Sequence, residues 1–288
     1  MNSTTRFTRR HVLGMAGAVA LSAAARADTK PARANGNIRQ SVCRWCYGRV
    51  PLEKLAAEAK RIGFKSIELL SAEEILKIKP LGLTCAVMGG ADIVRGLNRT
   101  EFHEANLSRL RKNIEFAAGN NIPAVIVMSG NRTIAGKTVA DDEGMETCVK
   151  ALKQIVGLAE EKKVTILMEG LNSKVDHKDY MYDRTSWGVA LAKKVGSPRF
   201  KLLYDIYHMQ IMEGDVIRTI QRNKEYIGHY HTGGVPGRHE IDETQELYYP
   251  AIIKAILETG YQGFLGQEYI PARDAIPSLE QGFKICDV

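Results

Sequence analysis

The chain has 288 residues, 44% hydrophobic and 25% charged, with a formal net charge of +7. That is ordinary globular composition, and the length suits two small domains or one large α/β barrel. Arg6, Arg9, Arg10 and Arg26 supply four of the positive charges without any acid before Asp28; the +3 that remains argues against a polyanion partner.

Chain order begins with "TRFTRRHVLGMAGAVALSAAARA", which has a twin arginine at Arg9 and Arg10, an apolar run from Val12 to Ala25 and an A-x-A ending at Ala27. This matches a twin-arginine export signal over residues 1–27, and the apolar run is too short for a comfortable membrane span. The expected location is the periplasm or cell envelope, with no stable membrane span after cleavage. Residues 28–40, rich in small and polar side chains, read as a linker. Five cysteines at irregular spacing, an odd count, argue against a disulfide framework. The lone C-x-x-C of Cys43 and Cys46 has no second pair to complete a zinc site, so "SVCRWCYG" reads as a strand.

From Ser41 to Val288 short apolar runs alternate with helical stretches. "PLEKLAAEAKRIG" places Leu52, Leu55, Ala56, Ala59 and Ile62 on one helix face, with Pro51 at its start and Gly63 at its stop. The runs "KSIELL", "LTCAVMG", "AVIVMSG", "KVTILMEG", "FKLLYDIYH", "YIGHYHTGG" and "GFLGQEYIP" follow as strands, each with a helix after it. Strict alternation implies parallel strands with crossover helices, and eight such units are the inventory of a (β/α)8 TIM barrel over residues 41–288. The rival, an open doubly wound sheet, lacks a G-x-G-x-x-G after its first strand.

In such a barrel the C-terminal strand ends share one mouth. Strands five to eight end in Glu169, Asp205, His231 and Glu268, spaced by 36, 26 and 37 residues, one βα unit apiece. Three carboxylates converging without a cation would repel, and a divalent metal removes the conflict. The oxygen-rich set with one nitrogen favours Mn²⁺, Mg²⁺ or Co²⁺, with Zn²⁺ as the alternative. His208, just past Asp205, and Arg238, in "GGVPGRHEID" with Glu240, are candidate substrate-binding residues. Glu68, in "KSIELL", could join the mouth but reads first as a structural partner of a lysine, and Trp45 reads as a substrate cap or a core residue.

The segments "MEGLN", "YDIYHMQ", "GHYHTGGVPGRHE" and "YPAIIKAILETGYQGFLGQEY" resemble the hydroxypyruvate isomerase branch of the xylose-isomerase-like barrels, and the likeness covers essentially all of residues 41–288. The resemblance implies that Glu169, Asp205, His231 and Glu268 bind one divalent metal, that Glu169 and Glu268 are also the acid/base pair, and that His208 and Arg238 contact substrate. The branch is typically similar to "GHVQIADVPGRHE", with glutamine where this chain has His231 and aspartate where it has Gly234. Histidine at that position resembles the ketose 3-epimerases instead.

The expected function is therefore a metal-dependent isomerase of an α-hydroxycarbonyl substrate, hydroxypyruvate or sugar, acting by glutamate proton transfer through a cis-enediolate. The alternatives are a ketose 3-epimerase, an inosose-type dehydratase, or a non-catalytic exported sugar-binding barrel. Seven histidines, one in the leader, and an acidic mouth disfavour a nuclease and a nucleic-acid partner. Whether the chain forms a homo-oligomer is left open by the sequence.

Overall fold

A computed structural model describes Met1 and residues 35–288; apart from Met1, the leader read at residues 1–27 lies outside the described residues, as does the linker up to residue 34. Eight strands form the main sheet: β1 (Arg39–Cys43), β2 (Ser66–Glu68), β3 (Val87–Met88), β4 (Ala124–Val127), β5 (Thr165–Glu169), β6 (Phe200–Asp205), β7 (Ile227–Thr232) and β8 (Phe264–Gln267). Their spatial order is β2-β1-β8-β7-β6-β5-β4-β3, and every pairing is parallel. The two ends of that order meet: Ser66 bridges Thr84 and Leu70 bridges Met88, while the Leu69 N–H donates to the Val87 carbonyl at 2.8 Å. The ring closes as the expected (β/α)8 barrel.

The strands are runs such as "AVIV" in β4, buried throughout, because the barrel interior covers one face and the helices the other. Helix α1 (Leu52–Ile62) buries the five apolar residues read from its periodicity, and Gly63 ends it at φ 126°. Helix α2 (Ala72–Ile78) is started by a capping box between Ser71 and Glu74. The remaining layer is α3 (His103–Gly119), α4 (Asp141–Lys153), α5 (Val156–Lys162), α6 (Thr185–Val195), α7 (Ile206–Met212), α8 (Val216–Asn223), α9 (Tyr249–Glu258) and α10 (Ala275–Cys286).

Three local readings change. β1 starts at Arg39, two residues ahead of Ser41, and "SVCRWCYG" is not one strand. Its strand ends at Cys43 and Arg44–Tyr47 is a 3₁₀ turn; buried Cys43 and half-buried Cys46 are both free thiols. Likewise "FKLLYDIYH" stops being strand at Asp205, where α7 begins. The Asp205 carboxylate accepts the Tyr207 N–H at 2.8 Å and the His208 N–H at 3.4 Å, a helix N-cap that competes with strand continuation.

Candidate metal centre and substrate cavity

β5 to β8 lie side by side, so their C-terminal ends rise to one level; Asp205 pairs with His231, and His231 with Gly266. Glu268 follows the last residue of β8, its N–H donating to the Thr232 carbonyl at 3.2 Å. Ligand-type atoms of Glu169, Asp205, His231 and Glu268 all fall within 4.8 Å of one another, and all four residues are buried. His231 Nδ1 stands 2.7 Å from Glu268 Oε2 and 3.2 Å from Glu169 Oε1. All four residues singled out in the sequence are thus brought together.

The electrostatics show why the set suits a cation. Burial pushes the Asp205 carboxyl well above its ordinary range; Arg238 opposes this, while Glu268 and Glu169 add to it. Burial and then Glu268 also raise Glu169. At Glu268 burial acts upward too, but His231 and Arg238 outweigh it and hold the carboxyl well below the usual value. Burial lowers His231, yet Glu268, Cys43 and Glu169 together raise it well above an ordinary imidazole. Three buried carboxylates share one guanidinium and one imidazole, an excess of negative charge in a low-dielectric site. Three oxygen donors and one nitrogen fit a hard divalent ion.

Arg238 Nη2 donates to Asp205 Oδ2 at 3.0 Å and to Glu268 Oε2 at 2.6 Å. Its guanidinium lies between two rings, with centroids 5.1 Å away for Trp45 and 5.2 Å for Tyr207. Trp45 is at the mouth and not in the core: it is 46% exposed and its Nε1–H donates to Glu268 Oε1 at 2.6 Å. The β7 loop doubles back tightly, Gly234 N–H to the His239 carbonyl at 3.0 Å and Arg238 N–H to the Gly234 carbonyl at 2.8 Å. A Cβ on Gly234 would collide with the Glu240 carbonyl oxygen, so aspartate does not fit this loop. Glu240 itself turns away, accepting the Ala272 and Arg273 N–H groups and the Ser278 hydroxyl.

His208 is fully buried on the first turn of α7. Its Nδ1 accepts from the Asn172 backbone N–H at 3.1 Å and faces the Asn172 amide at 2.7 Å. The proton therefore sits on Nε2, 3.6 Å from Asp205 Oδ2 and without a hydrogen-bond partner. A cavity of ≈ 330 Å³ opens at the mouth, lined by the polar Glu169, Glu268, Arg238, His177 and Trp45 and by the apolar Leu69, Ile93, Ile126, Met128 and Leu171. His208 does not line it but packs behind His177, ring centroids 5.3 Å apart.

Glu68 departs from its reading as a lysine partner. At the end of β2 it accepts from two histidines, His229 Nε2 at 2.9 Å and His231 Nε2 at 2.7 Å. One signal was present in the sequence: the i, i+2 spacing of His229 and His231 puts both on one side of a strand.

Residues 56–285 match the family model described as xylose isomerase-like TIM barrel. The chain belongs to that family. Within it, the chain is 32% identical over 235 residues to the 2-oxo-tetronate isomerase of Cupriavidus necator, covering 76% of this chain and 87% of the relative. It is 27% identical over 236 residues to a human protein named putative hydroxypyruvate isomerase, covering 82% and 80% respectively. These relatives put it in the hydroxypyruvate isomerase branch of the family. Solved structures share the fold at lower identity. A family 2 AP endonuclease from Brucella melitensis superposes with a TM-score of 0.73 at 24% identity, covering 84% of this chain and 97% of that one. A D-psicose 3-epimerase from Clostridium cellulolyticum H10 gives 0.67 at 18%, covering 87% and 94%.

Proposed function

We propose that the protein is a divalent-metal-dependent isomerase of a small α-hydroxycarbonyl substrate, in which Glu169 and Glu268 move the proton. The observation that carries the reading is the convergence of Glu169, Asp205, His231 and Glu268 within 4.8 Å beside a cavity, in a chain related to isomerases of 2-oxo-tetronate and hydroxypyruvate. Those four residues would hold the ion, which supplies Lewis-acid polarisation of adjacent carbonyl and hydroxyl oxygens.

The chain's own groups then do the rest. Glu169 and Glu268 both face the cavity, so one carboxylate takes the proton from the carbon beside the carbonyl and the other, or the same one, returns it. Hydrogen bonds from Trp45 and Arg238 favour the ionised form of Glu268. Asn172 fixes the His208 tautomer whose Nε2–H is turned towards Asp205, so His208 acts on the site through that carboxylate. The apolar wall keeps water from the carbanion-like intermediate. Proton return to the neighbouring carbon isomerises; return to the opposite face of the same carbon epimerises. His231, at the position where the branch has glutamine, favours ketose 3-epimerase as the second reading. The leader supports a further proposal, export of the folded protein by the twin-arginine route.

The test is solvent exchange. Metal-loaded protein is incubated in D₂O with hydroxypyruvate, a 2-oxo-tetronate and a panel of ketoses, and deuterium in recovered substrate and product is counted. Exchange with at least one of them, reduced about 10²–10⁴-fold in Glu268→Gln, is expected. Tight sugar binding with no exchange from any substrate identifies a binding protein instead.

A further inference from the structure

We propose that Glu68 is a positioning residue for the metal centre: its carboxylate takes the Nε2–H of His231 and so presents Nδ1 of that ring to Glu169, Asp205 and Glu268. The proposal rests on the metal-dependent reading above and adds a residue from the opposite half of the barrel to it.

The geometry assigns the two ring nitrogens to different neighbours. His231 Nδ1 faces Glu268 at 2.7 Å and Glu169 at 3.2 Å, whereas Nε2 is 2.7 Å from Glu68 Oε1. A histidine with a carboxylate on its far nitrogen is locked in one tautomer and one ring orientation, and its lone pair is a stronger donor. Glu68 is fully buried and, among the described residues, no lysine or arginine pairs with it; its ion-pair partners are His229 and His231. His229 holds the same oxygen at 2.9 Å, so the carboxylate is itself fixed from a second side. Strand β8 makes room for the arrangement. A Cβ on Gly266 would stand 2.5 Å from Glu68 Oε1 and 2.7 Å from His231 Cδ2, so a larger residue there would push into the pair.

The same neighbourhood contains Cys43, whose Sγ lies 3.5 Å from Glu68 Oε1 and 3.8 Å from His231 Nε2. The 2.7 Å separation of Glu68 and His231 is a charge-assisted hydrogen bond, and with His229 on the same carboxylate oxygen the cluster orients a ligand.

The test is a double-substitution cycle read by calorimetric titration of Mn²⁺ into metal-free protein. Glu68→Gln keeps the shape and is expected to weaken Mn²⁺ binding about 10–100-fold. In a His231→Gln background the ring is gone, and adding Glu68→Gln should change affinity by less than about 2-fold. Equal weakening in both backgrounds, or wild-type affinity in Glu68→Gln, overturns the positioning role while leaving the metal reading intact. A wild-type protein that binds no Mn²⁺, Mg²⁺ or Co²⁺ overturns the metal reading and the positioning role together. A measurement on the unsubstituted protein covers the case in which Glu68→Gln fails to fold. In Mg²⁺-saturated protein with ¹⁵N-labelled histidine, the His231 signals, identified by their loss in His231→Gln, should show the proton on Nε2. A proton on Nδ1 overturns the proposal.

Discussion

Replacing Asp205 with asparagine removes a buried charge while keeping its shape, and it separates the residue's two tasks. Oδ1 caps α7 through the Tyr207 N–H at 2.8 Å, and asparagine can keep that bond. Oδ2 holds Arg238 at 3.0 Å, a charge-assisted hydrogen bond worth about 1.5–3 kcal/mol. Arg238 retains Glu268 at 2.6 Å, so its charge is not orphaned. Against the lost bond stands the cost of ionising a carboxyl that burial holds well above its ordinary range. With a raised folded-state pKa the native protein binds this proton more tightly than the unfolded chain. The site therefore costs stability as pH rises above the ordinary carboxylate value, until the folded pKa is passed. Asparagine has no such cost, which for a buried ion amounts to several kcal/mol. The metal-free variant should thus unfold within about 2 kcal/mol of wild type near pH 4 and gain relative to it as pH rises above the ordinary carboxylate value, as measured in urea. Its Mn²⁺ affinity should fall by more than the roughly 100-fold that losing an outer partner of a ligand costs. A metal-free variant destabilised by more than about 3 kcal/mol, with Mn²⁺ binding unchanged, would falsify this reasoning and make Asp205 a structural partner of Arg238.

Gly234→Ala should cost about 1–3 kcal/mol in urea unfolding, because the new methyl meets the Glu240 carbonyl oxygen and forces the loop open. It should also lower kcat/KM by displacing Arg238 from between Trp45 and Tyr207; wild-type values of both quantities would refute the close-approach argument. Asp242 accepts the Thr244 hydroxyl at 2.6 Å and pairs with Arg273. Burial raises its carboxyl, but these partners outweigh it and hold the value at about 2. The stability it adds is present above the unfolded value near pH 4 and is lost as pH falls towards 2. Asp242→Asn should therefore be less stable than wild type by about 1–2 kcal/mol at pH 7, the difference fading by pH 2, with the exposed Arg273 keeping the figure modest. An undiminished difference at pH 2 would exclude ionisation of Asp242 as its source.

Much of this was legible because each site residue interrupts a regular pattern. Glu169, Asp205 and His231 are ionisable side chains set in apolar runs, and one βα unit separates each from the next, so barrel closure brings them together. The strand boundary at Asp205 was hidden because "LLYDIYH" reads as continuous apolar strand, and the side-chain cap that starts α7 is a local hydrogen bond without a periodic signature. Glu68 was misread for a different reason. Its partners stand 161 and 163 residues away in the chain, and only the neighbouring of β1, β2, β7 and β8 around the ring brings them within reach. Asn172 is similar: nothing in "MEGLN" says which nitrogen of His208 it will hold. The tight loop at Gly234 is a backbone approach, visible in sequence only as a glycine.

The barrel divides its labour by strand. Everything that handles charge at the mouth except Glu68 and Trp45 comes from β5 onward, while Leu69, Ile93, Ile126 and Met128 come from the segments around β2 to β4. Substitutions at those four aliphatic positions reshape the chamber without replacing a proton-carrying group. A lineage built this way can trade one substrate for another by exchanging aliphatic side chains, leaving its chemistry in place.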